Sequence, residues 1–113
     1  MTKLFVLAAL AAFAFPSAAP PVSVTLSEWK IRLSRDTVAA GTVTFQIDNS
    51  GSVTHGFHVK GEGIDKQTPP IAPREGASLT VTLKPGTYEV YCPMSELTHR
   101  QAGMLVKLTV TGG

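Results

Sequence analysis

Apolar and polar residues alternate along most of this chain with a period of two. Val22, Val24 and Leu26 are separated by Ser23 and Thr25, and Trp29, Ile31 and Leu33 by Lys30 and Arg32. After Ala39-Ala40-Gly41, a turn, the pattern resumes with Val43, Phe45 and Ile47 set against Thr44, Gln46 and Asp48. Three more series follow: Leu79, Val81 and Leu83; Tyr88, Val90 and Cys92; Met104, Val106, Leu108 and Val110. Successive side chains of a strand point to opposite faces, so this period predicts half-buried β-strands with the apolar set inward. No stretch sustains a helical period. Seven or so short strands separated by turn signals predict an all-β, antiparallel β-sandwich. Trp29 is expected in its core.

The connections carry their own signals. Asp48-Asn49-Ser50-Gly51 reads as a turn that the Asn49 side chain fixes. Residues 61–77 are rich in Gly and Pro and predict a long loop, because proline suits neither a helix nor a central strand. Lys84-Pro85-Gly86-Thr87 fits a type II turn, and Tyr88 reads as a structural tyrosine at a strand corner. In Thr54–Lys60, parity separates the two histidines. His55 falls with Phe57 and Val59 on the apolar face, whereas His58 is expected at the surface. By the same rule Tyr91, opposite Val90 and Cys92, is expected to be an exposed strand residue.

Composition narrows the class. With 113 residues the chain is one domain, and 16% charged residues with 43% hydrophobic ones fit a globular protein. Residues 1–19 hold Lys3, an apolar run from Leu4 to Phe15, and Pro16-Ser17-Ala18-Ala19. They predict a secretory signal peptide cleaved near Ala18 or Ala19, and a periplasmic or otherwise exported domain over residues 20–113. A retained membrane anchor is the alternative; after cleavage no stable membrane insertion is expected. Without Lys3, nine basic side chains face eight acidic ones, and no basic run is interleaved with aromatics. Nucleic acid is therefore not an expected partner.

Cys92 is the only cysteine, which excludes an internal disulfide. An odd cysteine in an exported protein means intermolecular pairing, a free thiol or a metal ligand. Taken singly, Cys92 reads as a small buried hydrophobe, His99 as a solvated loop residue and Met104 as core. In combination they form a C-x6-H-x4-M spacing bounded by strands. A thiolate, an imidazole and a thioether, with one imidazole from elsewhere, make up the donor set of a copper electron-transfer site. The inward face of His55 makes it the candidate for that second imidazole, since three strand ends and a loop can converge at one pole of a sandwich.

On these residues the chain resembles the small plastocyanin-like blue-copper proteins of the cupredoxin superfamily. Asn49-x-Gly51-x3-His55-x-Phe57 precedes the first matching ligand position. Pro85-Gly86-Thr87-Tyr88-x-x-Tyr91-Cys92 leads into the second, and His99-Arg100-Gln101-Ala102-Gly103-Met104 closes the set. The resemblance implies a Greek-key topology and one mononuclear type 1 copper. It implies His55, Cys92 and His99 as equatorial ligands, Met104 as the axial one, and His99 nearest the surface. Two departures stand out. Six residues separate Cys92 from His99, where two or four are common, and Gly56 stands where plastocyanins and azurins usually have Asn.

The function expected is one-electron transfer between protein redox partners, with the chain acting as a monomer. Periplasmic copper binding and delivery is the alternative, kept open by Met94, His58 and His99. A four-ligand metal lacks the open position that catalysis needs, so an enzyme is not expected. Met94 is a rival axial ligand, two residues beyond Cys92 and off the resembling position. The ligand loop supplies Pro93, Met94, Leu97 and Gly103, an apolar rim on which a partner can dock.

Overall fold

A computed structural model describes residues 19–112, so nearly all of the predicted signal segment lies outside the described residues. The N-terminal part carries β1 (Val22–Ser27), β2 (Lys30–Leu33), β3 (Thr37–Ala39) and β4 (Gly41–Asn49). Then come β5 (His58–Gly61), β6 (Ile64–Gln67), β7 (Gly76–Leu83), β8 (Gly86–Tyr91), a one-turn helix α1 (Thr98–Gln101) and β9 (Leu105–Thr111). The strands form two sheets, ordered β2-β1-β4-β7 and β3-β9-β8-β5-β6. Their apolar faces meet to form the core of a β-sandwich. No helix among the described residues is long and apolar enough to cross a membrane.

The alternation puts the expected residues inside. Val22, Val24, Leu26, Phe45, Ile47, Tyr88, Val90, Leu108 and Val110 are all buried. Each such aliphatic or aromatic side chain contributes roughly 1.5–3 kcal/mol on burial. Phe45 of β4 and Phe57 ahead of β5 come from the two sheets, and their rings meet at 5.1 Å and a tilt of 53°. Tyr88 is the predicted corner: its hydroxyl donates to the Lys84 carbonyl at 2.7 Å and accepts the Lys84 N–H at 3.0 Å.

Four local expectations are corrected. Two pairings, β1 with β4 and β3 with β9, are parallel, so the sheets are mixed rather than purely antiparallel. Alternation fixes which face a strand buries but carries no information on the direction of its neighbour. The long loop contains a strand, since β6 pairs with β5 along the sheet edge, where prolines just beyond its end are tolerated. A single helical turn is too short to generate a period, which is why α1 escapes the pattern. Trp29 is 44% exposed rather than core, because it lies in the turn between β1 and β2, outside the alternation that buries Ile31.

Candidate metal centre

His55 sits in the loop between β4 and β5, and side chains from elsewhere hold that loop. Asn49 ends β4 almost completely buried. Its amide donates to the Val53 and Ile71 carbonyls, both at 2.9 Å, and its carbonyl accepts the Gly51 N–H at 2.8 Å. This confirms the turn-fixing role expected of it. His55 itself is pinned by a two-way backbone bridge, donating to the Ile71 carbonyl at 3.1 Å and accepting its N–H at 2.8 Å. The imidazole is fully buried.

Cys92 follows the end of β8, also fully buried. The chain then makes a tight excursion in which Ser95, Glu96 and Leu97 all have positive φ, of 54°, 55° and 72°. Left-handed conformation in non-glycine residues is uncommon, and three in succession roll the six intervening residues into a compact turn. The turn delivers His99 into α1. Met104 then starts the return, its carbonyl accepting the Cys92 N–H and its N–H donating to the His99 carbonyl, both at 3.1 Å. The Met104 side chain is fully buried.

His55, Cys92 and His99 each offer one ligand atom, and the three atoms lie within 4.8 Å of one another. The Cys92 Sγ is 3.9 Å from His55 Nδ1 and 3.6 Å from His99 Nδ1. Both imidazoles thus turn the same nitrogen toward the sulfur. Edges of this length suit an ion bonded to each donor at roughly 2.0–2.3 Å. A soft thiolate with two imidazoles is the donor chemistry of copper, and the buried Met104 thioether follows in the same loop. His99 retains 8% exposure while His55, Cys92 and Met104 have none, so His99 is the donor nearest solvent.

Gly56 now has a physical account. A Cβ there would come within 3.2 Å of both the Met94 methyl and the Pro93 ring. The bare backbone lets those residues pack against the His55 loop and lets the Gly56 N–H donate to Sγ at 3.2 Å. Direct packing and an N–H···S bond thereby join the two ligand loops, in place of a side-chain bridge. Met94 is half-buried against this loop and the core.

Burial pushes the Cys92 thiol above its ordinary range, partly offset by the N–H groups of Gly56 and Met94. A metal entering the site must therefore expel a proton. Burial also lowers His99, as does neighbouring His55, with Glu28 opposing, so its neutral ligating form is favoured.

Sequence reasoning missed two residues at the site, both in the turn between β1 and β2. Glu28 accepts a bond from His55 Nε2 at 2.6 Å, while its other oxygen accepts the Ser52 N–H and hydroxyl, both at 2.8 Å. The Ser52 N–H, then the His55 ring, then the Ser52 hydroxyl lower its carboxyl to about 2, against an opposing effect of burial. Trp29 lays its indole edge-on against His99, with centroids 4.7 Å apart, and lies 6.0 Å from His55. Nothing in the local sequence ties Glu28-Trp29 to residues so far along the chain. A charged and an aromatic residue opening a turn give no periodic signal.

His58 and Tyr91 are corrected together. Both are 8% exposed, not surface residues. They face each other across β5 and β8 and stack at 4.6 Å, and the Arg100 guanidinium lies 5.1 Å from the Tyr91 ring centre. Parity sends them outward as expected, but cross-strand pairing and α1 cover that outer face. His58 pairs with Asp65 rather than joining the donor set.

A family model described as a cupredoxin-like domain matches residues 1–106. No curated protein sequence matches the chain. Among solved structures, dithionite-reduced auracyanin from Roseiflexus castenholzii aligns with a TM-score of 0.69 at 20% identity, over 84% of this chain and 99% of that one. Auracyanin A from Chloroflexus aurantiacus, described as a "blue" copper protein, gives 0.62 at 21%, over 81% and 100%. A Cu(I) form of an amicyanin variant gives 0.59 at 18%, over 83% and 85%. At such identities the structural likeness speaks for the fold, a cupredoxin-type sandwich. With the family match spanning nearly the whole chain, the protein belongs to the cupredoxin-like family.

Proposed function

We propose that this protein is an exported carrier of single electrons that uses one copper ion cycling between Cu(I) and Cu(II). His55, Cys92 and His99 would be its in-plane ligands and Met104 its axial one. The observation that carries the proposal is the buried triad of His55, Cys92 and His99 with donor atoms within 4.8 Å. The sulfurs suit Cu(I) and the imidazoles suit both oxidation states. Enclosure favours retention of the metal over its delivery to another protein, and a filled ligand set leaves no position for a substrate. The N-terminal segment supports export as a signal peptide, and similarity to proteins described as blue-copper auracyanin and as amicyanin supports the copper reading.

Electrons would leave on the His99 side. Trp29 and Leu97, 44% and 42% exposed, offer apolar surface near that ligand, suited to a brief encounter with a protein redox partner. A monomer suffices for this role, since the donors all come from one chain.

The test is the visible and EPR spectrum of the purified Cu(II)-loaded protein. A thiolate–Cu(II) bond gives an intense visible charge-transfer band, which Cys92→Ser abolishes. A colourless protein at full Cu(II) occupancy, or colour persisting in Cys92→Ser, overturns the proposal. Met104→Leu is expected to keep copper bound while raising the reduction potential, through loss of a weak axial donor to Cu(II). Met94→Leu is expected to change it far less; the reverse outcome would transfer the axial role to Met94.

A further inference from the structure

Glu28 lies 27 positions before His55, yet its carboxylate touches the buried His55 ring. Its close contacts are the Ser52 N–H and the Ser52 hydroxyl at one oxygen and His55 Nε2 at the other. A carboxylate with this pattern is purely an acceptor, so Nε2 must carry the His55 proton. The lone pair is then on Nδ1, the nitrogen that faces the Cys92 sulfur. The tautomer needed for ligation is thus fixed from outside the ligand loops.

The surroundings are shaped for this contact. A Cβ on Gly51 would fall 1.9 Å from Glu28 Oε2 and 3.0 Å from His55 Nε2. The space a side chain would take at Gly51 is occupied by the carboxylate–imidazole bond. The Glu28 side chain is one-quarter exposed while the His55 side chain is not exposed at all, so the bond carries negative charge from the surface to an enclosed ligand.

Resting on the copper reading, we propose that Glu28 is the positioning residue of the site. It holds His55 with Nδ1 toward the metal and biases the copper toward the oxidised state. Two effects act in the same direction. An imidazole whose N–H is bonded to a carboxylate is a stronger donor to the metal. A negative charge beside the ligand also favours Cu(II) over Cu(I) by simple electrostatics. The expected role is therefore a tuning of potential as well as of affinity.

The experiment compares the full chain with Glu28→Gln, Glu28→Ala and Gly51→Ala. Glu28→Gln keeps an acceptor but removes the charge. It is expected to shift the Cu(II)/Cu(I) equilibrium about tenfold toward Cu(I), an upward change of about 59 mV in reduction potential. Glu28→Ala is expected to do the same and to weaken copper binding about 10–100-fold. Gly51→Ala, whose methyl displaces the carboxylate without removing it, is expected to raise the potential like Glu28→Gln. Imidazole nitrogen NMR on the metal-free wild type reads the tautomer without copper, and His55 is expected protonated on Nε2. A proton on Nδ1 overturns the proposal, as does an unchanged potential in both Glu28→Gln and Gly51→Ala. If the wild type lacks a thiolate charge-transfer band, the copper reading fails instead, and the NMR result still decides whether Glu28 holds His55. Because the NMR test uses the wild type, poor folding of a variant leaves it intact.

Discussion

The two histidines reach the same sulfur from loops built on opposite plans. The His55 loop is anchored from outside, by the Asn49 amide, the Ile71 backbone and the Glu28 carboxylate. The His99 loop is held largely from within, by bonds from Leu97 to Pro93, from Thr98 to Ser95 and from Gln101 to Leu97, around three left-handed residues. Besides its approach to the Cys92 sulfur, the His99 ring makes a long contact to the Ser95 hydroxyl at 3.5 Å, and Trp29 lies against it. One candidate ligand is thus embedded in the scaffold and the other lies nearer solvent. An electron carrier benefits from that division, because a fixed ligand preserves geometry while a peripheral one brings the metal close to a partner.

The largest effect expected from breaking this contrast is on stability. Asn49→Ala leaves the Val53 carbonyl and the Gly51 N–H without their side-chain partner and takes one of two donors from the Ile71 carbonyl. It is expected to cost on the order of 3 kcal/mol, measured by urea denaturation of the metal-free protein. Ser95→Ala, on the internally held loop, is expected to cost less than about 1 kcal/mol. Equal losses from the two substitutions would erase the distinction between the loops.

Acid sharpens the same comparison. The folded state holds His99 below its ordinary value of 6.5, so the unfolded chain takes up that proton first. Metal-free stability is expected to be complete above 6.5 and to decline as the pH falls toward the folded value. Glu28 adds a lower window: its contribution is present above 4.5 and is lost as the pH falls toward about 2. Denaturation midpoints measured across this range should show two declines, of which Glu28→Gln removes only the lower. A profile flat down to 4.5 would mean that burial does not resist protonation of His99.

The smallest structural effect is expected at the outer rim, with a readout in rate. Leu97→Asp is expected to slow electron exchange with the physiological partner in stopped-flow measurements while leaving the copper spectrum nearly unchanged. Tyr91→Phe, beneath His58 and Arg100, is expected to do little by comparison. An unchanged rate in Leu97→Asp with a large loss in Tyr91→Phe would move the electron route away from the His99 side.

Much of this molecule follows from residues close together in the chain. Period-two alternation determines which side chains of β1, β4, β8 and β9 face the core, because strand geometry is local. Asn49 and Tyr88 fix corners within a few residues of themselves, so their roles are legible too. The spacing of Cys92, His99 and Met104 places three donors in one loop, and the parity of His55 puts it on the inner face. Tertiary structure alone decides the rest. The parallel pairings of β1 with β4 and of β3 with β9 depend on strand order, on which alternation is silent. The burial of His58 and Tyr91 depends on which residues face each other across strands. Glu28 and Trp29 enter the site because the β1–β2 turn lies over the ligand pole, with Glu28 27 positions before its bonded histidine. A contact made across that separation depends on the parallel pairing of β1 with β4, which sets Leu26 beside Asn49, and no run of neighbouring residues encodes it.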